Sequence, residues 1–328
     1  MIAVQAYNTG GGDLYPRIEP YDHGMLPVGS GHSLYWEQSG NPKGEPVIFL
    51  HGGPGAGTTP NHRRFFDPAH YRIILFDQRG AGRSTPYASI TDNTTNHLIA
   101  DIEMLRGMLG VERWLVFGGS WGATLALVYA ERYPEHCLGM ILRGVFMGRK
   151  SELDWFLFGI SHIYPEAWQT FVDFLPSTER SDLANSYYCR LIEEDPKIHG
   201  PAAAAWHNYE MQCSTLRHHI SEPTRGYGGN VLALARLEAH YFVNDLFLSE
   251  NEILKNVGRI ADLPATIIQG RYDMICPIIS AKQLADSGTG MVLNIVDDAG
   301  HSAMEPGIRR GLVAAANSFR DTGHFRGG

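Results

Sequence analysis

The sequence predicts an α/β fold, in which a mostly parallel sheet has helices on both faces and is interrupted by an all-helical segment. Short apolar runs alternate with helical patterns up to about residue 145 and again after residue 261, as parallel strands buried on both faces do. Strand-like runs are missing from residues 146–260, where Trp, Tyr, His and Ala are frequent. The chain has 328 residues, more than a single hydrophobic core usually organises, so a large insertion is expected.

Three segments follow from this pattern. Residues 1–145 and 261–328 are predicted to be the two parts of the α/β core, and residues 146–260 an inserted helical cap. Residues 1–13, which include three consecutive glycines, are predicted to be a loose tail. Because ligands of open α/β sheets bind outside the carboxyl ends of the strands, a cap at that edge would roof a pocket.

The elements of the core are predicted in chain order. Ser33–Trp36 and Pro46–Leu50 have the character of strands, and the turn-forming sequence at 41–44 between them predicts a hairpin. Apolar runs predict further strands at Tyr71–Phe76, Arg113–Phe117, Leu138–Gly144, Ala265–Gly270 and Val292–Val296. Helical periodicity and breakers predict helices at Thr94–Leu109, Ala123–Arg132 and Gly307–Phe319.

Charge and composition argue against several functional classes. The net charge is −8 and no basic run is present, so we expect no nucleic-acid partner. No apolar run approaches the ~20 residues that span a bilayer, so no membrane association is expected. The N-terminal twenty residues lack a basic leader and an apolar run, and no two cysteines form a CxxC pair. These features predict reduced thiols and a cytoplasmic location.

A serine between glycines is the first candidate for catalysis. Ser120 lies in "VFGGSWGATLAL", after a predicted strand and before a predicted helix that Pro134 ends. Strand, tight turn and helix are the context of a nucleophile elbow, and neighbouring glycines permit the strained backbone that it needs. The alternative is an ordinary polar residue in a glycine-rich loop. The flanking elements favour the nucleophile.

An acid and a histidine follow Ser120 in the order that such a nucleophile requires. Asp273 comes after one predicted strand, in "GRYDMICP", and His301 after the next, in "DDAGHS". In this arrangement the histidine takes the serine proton, and the carboxylate orients and stabilises the imidazole ring. The alternative is that Asp273 caps a turn and that His301 is merely one of fifteen histidines. Order and placement after strands favour the catalytic triad.

Two backbone amides are predicted to form an oxyanion hole. The N–H of Trp121 follows the nucleophile, and Gly53 in "FLHGGPGAG" follows an early strand. Loss of one such donor typically costs ~10²–10³-fold in turnover. Phosphate or dinucleotide binding by this loop is excluded, because neither G-x-G-x-x-G nor G-x-x-x-x-G-K-[ST] fits it. The same holds for "FDQRGAGRS", which we interpret as a structural loop beside the oxyanion strand.

The combination of motifs resembles the proline iminopeptidases of the α/β-hydrolase fold. The matching segments run from about residue 15 to 302 and include "VIFLHGGPGAG", "FDQRGAGRS", "GGSWGATLAL", "RGVFMGRKSELDWF", "ARLEAHYFVN" and "DDAGHS". Ala56 and Ala123 depart from the family's usual Gly and Ser, which are also small. Epoxide hydrolases and haloalkane dehalogenases resemble the fold too, but they place an aspartate at the elbow. The serine favours acyl transfer.

The resemblance implies further site residues. Glu210 and Glu238 match cap glutamates that bind the substrate's free amine, and Phe146, Phe156 and Phe242 match a pocket for the pyrrolidine ring. The alternatives are solvated acids on helix faces and aromatic core packing. Cys276 lies three residues after Asp273 and by default is a small buried residue. The alternative hypothesis is that it lies near the site, which would make activity sensitive to bulky thiol reagents.

The expected function is release of N-terminal proline from short peptides through an acyl-enzyme, with such peptides as the partners. The resemblance implies no metal and no cofactor, and the histidine-rich spots show no HExxH or paired Cys/His spacing. The alternatives are a broader aminopeptidase, an amidase or an esterase on the same scaffold. A catalytically silent receptor with this fold is a further alternative, which the intact Ser, Asp and His set argues against.

Overall fold

The computed structural model describes residues 14–217, 229–288 and 290–325, which form one sheet of eight strands with helices around it. The strands are β1 (Asp22–Gly29), β2 (His32–Gly40), β3 (Glu45–Leu50), β4 (Tyr71–Phe76), β5 (Trp114–Ser120), β6 (Cys137–Val145), β7 (Ala265–Gly270) and β8 (Val292–Val296). The α-helices are α1 (Thr95–Met108), α2 (Trp121–Arg132), α3 (Lys150–Leu157), α4 (Pro165–Asp173), α5 (Leu183–Leu191), α6 (Pro196–Cys213), α7 (Val231–Val243), α8 (Glu252–Asn256), α9 (Ile278–Ala285) and α10 (Pro306–Thr322). The tail predicted at residues 1–13 lies outside the described residues.

The sheet is mostly parallel, which confirms the predicted fold class. Its strand order is β1-β2-β4-β3-β5-β6-β7-β8. All strands from β3 onwards are parallel to one another. Strands β1 and β2 form an antiparallel extension at one edge. The carboxyl ends of β3, β5, β6, β7 and β8 therefore meet at one edge of the sheet, where a ligand site is expected.

The predicted hairpin between the strands at 33–36 and 46–50 is wrong. Strand β2 pairs with β4, and β3 lies on the other side of β4, between β4 and β5. The hairpin partner of β2 is β1, joined through Ser30 and Gly31, both of which have positive φ. No strand was predicted at β1, because most of its side chains are exposed and it contains Pro27. Strand β3 is buried on both faces and needs a neighbour on each side.

The two faces of the sheet are covered by different helices. Val47 and Phe49 in β3 belong to an apolar cluster with α10, whereas Ile48 and Leu50 belong to one with α1 and α2. Successive side chains of a strand point to opposite faces, so four consecutive apolar residues serve both clusters. This arrangement explains why the central strands are near-continuous apolar runs.

The described residues between β6 and β7 form helices α3 to α8 and short 3₁₀ turns, without a strand. Helices α5, α6 and α7 pack on one another around aromatic side chains such as Phe171, Tyr187 and Trp206. Residues of α6 and α7 reach the carboxyl edge of the sheet and line a cavity beside Ser120. In the part of the chain that the structure describes, no helix is long and apolar enough to cross a membrane.

The packing of α2 against β3 depends on Gly122. A Cβ atom built there would overlap the carbonyl oxygen of Leu50, which belongs to the backbone and cannot rotate away. We expect Gly122→Ala to lower the free energy of unfolding by about 1–3 kcal/mol, the usual cost of overpacking. Urea unfolding followed by circular dichroism measures the change.

The matched control is Gly107→Ala in α1, where an added Cβ meets no atom within 4 Å. Since alanine is the better helix former by about 0.5–1 kcal/mol, this variant should be at least as stable as the parent protein. Equal stability of the two variants would show that Gly122 is not a tight contact.

Candidate active site

Ser120 occupies a strained turn between β5 and α2. Its φ is 60° and its ψ −128°, a combination that non-glycine residues rarely adopt. The turn is tight because the neighbouring glycines touch backbone: a Cβ on Gly118 would overlap the carbonyl oxygen of Gly122. Such strain persists where the surroundings hold it, and it is characteristic of functional sites. The geometry is that of the predicted nucleophile elbow.

The structure brings Asp273 and His301 together at the same edge of the sheet. His301 Nδ1 lies 2.9 Å from both carboxylate oxygens of Asp273, and both side chains are buried. Asp273 also accepts hydrogen bonds from the Cys276 backbone N–H and the Gln269 amide group, at 2.8 and 3.1 Å. A carboxylate only accepts, so Nδ1 carries the imidazole proton and Nε2 has the free lone pair. A general base requires this tautomer.

Arg143, at the end of β6, contacts the imidazole from the other side. Its Nη1 lies 2.9 Å from Nε2 of His301 and 3.1 Å from the carbonyl oxygen of the same residue. Among the hydrogen bonds of the described residues, none joins Ser120 Oγ to His301, although both residues line one cavity. The Nε2 lone pair therefore accepts a hydrogen bond from a guanidinium, and if His301 is to take a proton from Ser120, this contact has to be released.

Burial and charge set the protonation of His301. Burial is the largest effect and lowers its pKa below the ordinary value, the Asp273 carboxylate raises it, and the Arg143 cation lowers it. The net shift is downward, so the imidazole is neutral at pH 7 and can accept a proton. The acid limb expected from an unperturbed histidine, at about pH 6.5, therefore moves to lower pH.

The loop after β3 is held against the elbow by a buried polar network. The Trp121 indole N–H donates to Gln78 Oε1 at 2.9 Å, and the Gln78 amide donates to the His51 carbonyl oxygen at 2.9 Å. The backbone N–H of Gln78 donates to His51 Nε2 at 3.0 Å. This network joins the residue after the nucleophile to the start of the glycine loop. Gly53 in that loop has a φ of 103°, which favours glycine, and lines the cavity with Ser120.

Two glutamates of the helical segment meet near Ser120. Glu238 on α7 accepts a hydrogen bond of 2.6 Å from the Trp206 indole, and Oε2 of Glu210 on α6 is buried without a hydrogen-bond partner. Burial raises the pKa of Glu210 to about 7. Burial also raises the pKa of Glu238, and the neighbouring Glu210 raises it further. The two are not the solvated helix-face acids of the alternative interpretation.

The three predicted phenylalanines lie around a narrow cavity that Ser120, Glu210 and Glu238 also line. The rings of Phe156 and Phe242 are edge-to-face at 5.5 Å, and Phe146 lies 6.4 Å from Phe242. Cys276, which is buried, lines the same space. The serine, the two carboxyl groups and the three aromatic rings thus line one narrow slot.

Asp273, Cys276 and His301 also offer the types of atom that bind metal ions. Their ligand atoms lie within 4.8 Å of one another, the one such group of three among the residues described. The donor chemistry fits a metal poorly. His301 Nδ1 is committed to Asp273, and burial and the Asp273 charge raise the pKa of the Cys276 thiol, which opposes the thiolate that a metal requires.

Sequence reasoning missed two of the residues that organise this site. Arg143 is the one charged side chain in an otherwise apolar strand, "CLGMILRGV", and that exception was the available signal. Gln78 lies in "FDQRGAGRS", which was assigned a structural role without a contact for its amide group. A buried amide network has no periodicity, so only coordinates reveal it.

Comparisons with known proteins identify the family and the fold. The model of the α/β hydrolase fold family matches residues 45–307. The proline iminopeptidase of Arabidopsis thaliana is 52% identical over 311 residues, which cover 94% of this chain and 82% of that protein. The proline iminopeptidases of Xylella fastidiosa (strain 9a5c) and Neisseria gonorrhoeae are 49% and 47% identical, over 93% of this chain and 99% and 98% of theirs.

The chain belongs to the proline iminopeptidase family. This confirms the resemblance that the motifs indicated, and the protein is an enzyme of the serine-hydrolase class with an α/β-hydrolase fold.

More distant structures share the fold of this proline iminopeptidase family member. An esterase from Exiguobacterium antarcticum superposes with a TM-score of 0.60 at 18% identity, over 91% of this chain and 99% of its own. A proline iminopeptidase-related protein from Thermus thermophilus superposes with a TM-score of 0.57 at 21% identity, over 92% and 94% of the two chains. At these identities the likeness concerns the fold alone.

The contact between Arg143 and His301 gives a pH test. Because the guanidinium charge lowers the pKa of His301, Arg143→Met should raise that pKa. The imidazole then becomes protonated at higher pH, and the acid limb of kcat/KM should move to higher pH. A pH profile on a short-chain nitrophenyl ester measures the shift. Arg143→Lys is the matched control, since it keeps the charge and should keep the limb. An unmoved limb in Arg143→Met would contradict the contact.

Proposed function

We propose that this enzyme is a serine exopeptidase that releases N-terminal proline from short peptides through an acyl-enzyme, with residues 146–260 acting as a cap over the site. One observation carries the proposal. Ser120 lines a narrow apolar slot, and so do the buried Glu238 and Glu210, whose Oε2 is buried without a hydrogen-bond partner. Glu152, the third glutamate in the lining, is paired with Arg149. A ring held there with its amine on the glutamates would present its carbonyl group to the serine.

In the proposed mechanism, Ser120 Oγ attacks the carbonyl carbon of the N-terminal proline and His301 Nε2 takes the hydroxyl proton. Asp273 stabilises the resulting imidazolium through Nδ1. The backbone N–H groups of Trp121 and Gly53 stabilise the negative oxygen of the tetrahedral intermediate. The imidazolium gives its proton to the leaving nitrogen, the shortened peptide departs, and water, activated by His301, hydrolyses the proline ester of Ser120.

Recognition of the free amine is assigned to Glu210 and Glu238. A charge-assisted hydrogen bond contributes roughly 1.5–3 kcal/mol, so two would favour a free amine over a blocked one by ~10²–10⁴-fold. The unpartnered Oε2 of Glu210 supports this role, because buried carboxylate oxygens are ordinarily paired. Phe146, Phe156 and Phe242 supply the apolar contact for the pyrrolidine ring.

A rate panel tests the proposal directly. Matched anilides of Pro, Ala, Leu and N-acetyl-Pro are compared with a short-chain nitrophenyl ester. We expect the Pro anilide to be hydrolysed fastest and the acetylated one to be at least ~10²-fold slower, because it lacks the ammonium group. Ser120→Ala should abolish turnover, and Glu210→Gln and Glu238→Gln should each lower kcat/KM for the Pro anilide by about 10-fold or more.

The outcomes separate the alternatives. Fast hydrolysis of the ester with slow hydrolysis of the free-amine anilides would support the catalytic triad but contradict the exopeptidase function. Equal rates for Pro, Ala and Leu would indicate a broader aminopeptidase. Activity in the Ser120→Ala variant would show that Ser120 is not the nucleophile.

The glutamates also predict different pH profiles for two substrates. The pKa of Glu210 is raised by burial, so lowering the pH through about 7 neutralises the carboxylate that binds the amine. The pKa of His301 is lowered, so its protonation follows at lower pH. The acid limb of kcat/KM should therefore lie at higher pH for Pro anilide than for a nitrophenyl ester, which has no amine. Coincident limbs would show that the glutamates do not take part in binding.

A further inference from the structure

A second, larger cavity opens on Ser120, distinct from the narrow slot. Its volume is about 370 Å³, and it shares Gly53, Ser120 and Glu210 with the slot. Ligand sites run from about 300 to 1,000 Å³. This cavity is at the lower end of that range, a size suited to one residue and its backbone rather than to a long peptide. The mechanism above uses the slot and leaves this cavity without an occupant.

The position of His301 identifies which part of a substrate the larger cavity faces. His301 lines this cavity and does not line the slot. The imidazolium must deliver its proton to the leaving nitrogen, so the leaving group has to lie on the side of the ring. The two cavities meeting at Ser120 therefore correspond to the two sides of the bond that is cut.

Among the described residues, those that line the larger cavity away from Ser120 are apolar or neutral. Phe49, Phe117, Met211 and Leu234 contribute carbon and sulfur atoms. The ring of Phe49 stacks on that of His62 at 4.3 Å and on that of Phe117 at 5.2 Å. These aromatic faces are suited to contact with another ring or an aliphatic chain.

The imidazoles in the wall carry no charge at neutral pH. Burial lowers the pKa of His62 to about 3 and lowers that of His207 as well. His62 Nδ1 accepts a hydrogen bond of 3.1 Å from the Thr59 backbone N–H, which requires an unprotonated nitrogen. The charged side chains in the described lining, Arg143 and Glu210, belong to the end of the cavity beside the catalytic groups. A charge away from the catalytic groups would lose part of its hydration without gaining a partner among the described residues.

We propose that this cavity binds the residue that follows the N-terminal proline, and that it takes an uncharged apolar or aromatic side chain. The inference rests on the proposed function and specifies its substrate class: peptides that begin with proline followed by a residue such as Phe or Leu. The substrate then spans both cavities, with its first ring in the slot and its second side chain against Phe49 and Leu234.

A series of amides with one variable residue tests the inference. The substrates are Pro-Phe-NH₂, Pro-Leu-NH₂, Pro-Gly-NH₂, Pro-Asp-NH₂ and Pro-Lys-NH₂, with prolinamide as the substrate that lacks a second residue. We expect kcat/KM for Pro-Phe-NH₂ to exceed that for Pro-Gly-NH₂ by about 10- to 100-fold, the effect of burying an apolar side chain. For Pro-Asp-NH₂ and Pro-Lys-NH₂, kcat/KM should be equal to or lower than that for Pro-Gly-NH₂.

Variants at Met211 locate the preference in this cavity. Met211 is 52% exposed, so a charged replacement should not prevent folding. Met211→Glu should reduce the ratio of kcat/KM for Pro-Phe-NH₂ to that for Pro-Gly-NH₂ by about 5-fold. It should also raise kcat/KM for Pro-Lys-NH₂ relative to that for Pro-Asp-NH₂. Met211→Gln adds no charge, so it should not change the ratio of the Lys to the Asp substrate. Met108→Glu on α1 is the matched control, since Met108 is 44% exposed and lines neither cavity. Its ratios should equal those of the parent.

Failure of the inference and failure of the proposed function give different results. Similar kcat/KM values for the Phe, Gly and charged amides, with prolinamide or Pro anilide still cleaved in a Ser120-dependent reaction, would overturn the inference and leave the proposed function intact. Absence of turnover on every proline substrate would overturn both. A preference for Phe that Met211→Glu leaves unchanged would place the preference elsewhere and would also overturn the inference.

Discussion

The close approach of backbone to backbone at the elbow is the constraint on which the site depends. Ser120 is held at positive φ, a conformation that costs about 1–3 kcal/mol, and the contacts of Gly118 and Gly122 leave no room for the chain to relax. At Gly122 the start of α2 also packs directly against the backbone of Leu50 at the end of β3. The start of that helix and the glycine loop after β3 therefore lie close together, and under the proposed mechanism their N–H groups would stabilise the same oxyanion.

Parallel strands bring the remaining groups to that position. Asp273 and His301 follow neighbouring strands, β7 and β8, and Arg143 ends the strand on the other side of β7. Three residues distant in sequence become neighbours because their strands end at one edge. The helices between β6 and β7 then contribute Glu210 and Glu238 from above. Under the proposed function, residues at the edge of the sheet would cleave the bond, and the helical segment would supply the carboxyl groups that bind the amine.

The sequence allowed much of this arrangement to be predicted, and the failures have physical causes. Apolar runs located the strands β3 to β8, and the elbow motif with its flanking elements located Ser120, because these signals are local. The hairpin was wrong because the pairing partner of a strand depends on the whole sheet, and the half-exposed β1 resembles a loop. Arg143 and Gln78 were missed because their roles lie in contacts across many residues, 158 in sequence between Arg143 and His301.

The charges around the slot explain how selection for a free amine would arise under the proposed function. Glu238 and Oε2 of Glu210 are buried, and the nearby cation, Arg143, is engaged with His301 rather than hydrogen-bonded to either carboxylate. Two carboxylates without a paired cation are costly to ionise, which is why the pKa values of both are raised. A substrate ammonium would provide the missing charge and hydrogen-bond donors, whereas an acylated amine would leave Oε2 of Glu210 unpaired. Selectivity would then come less from attraction to the amine than from the cost of leaving buried acids without a partner.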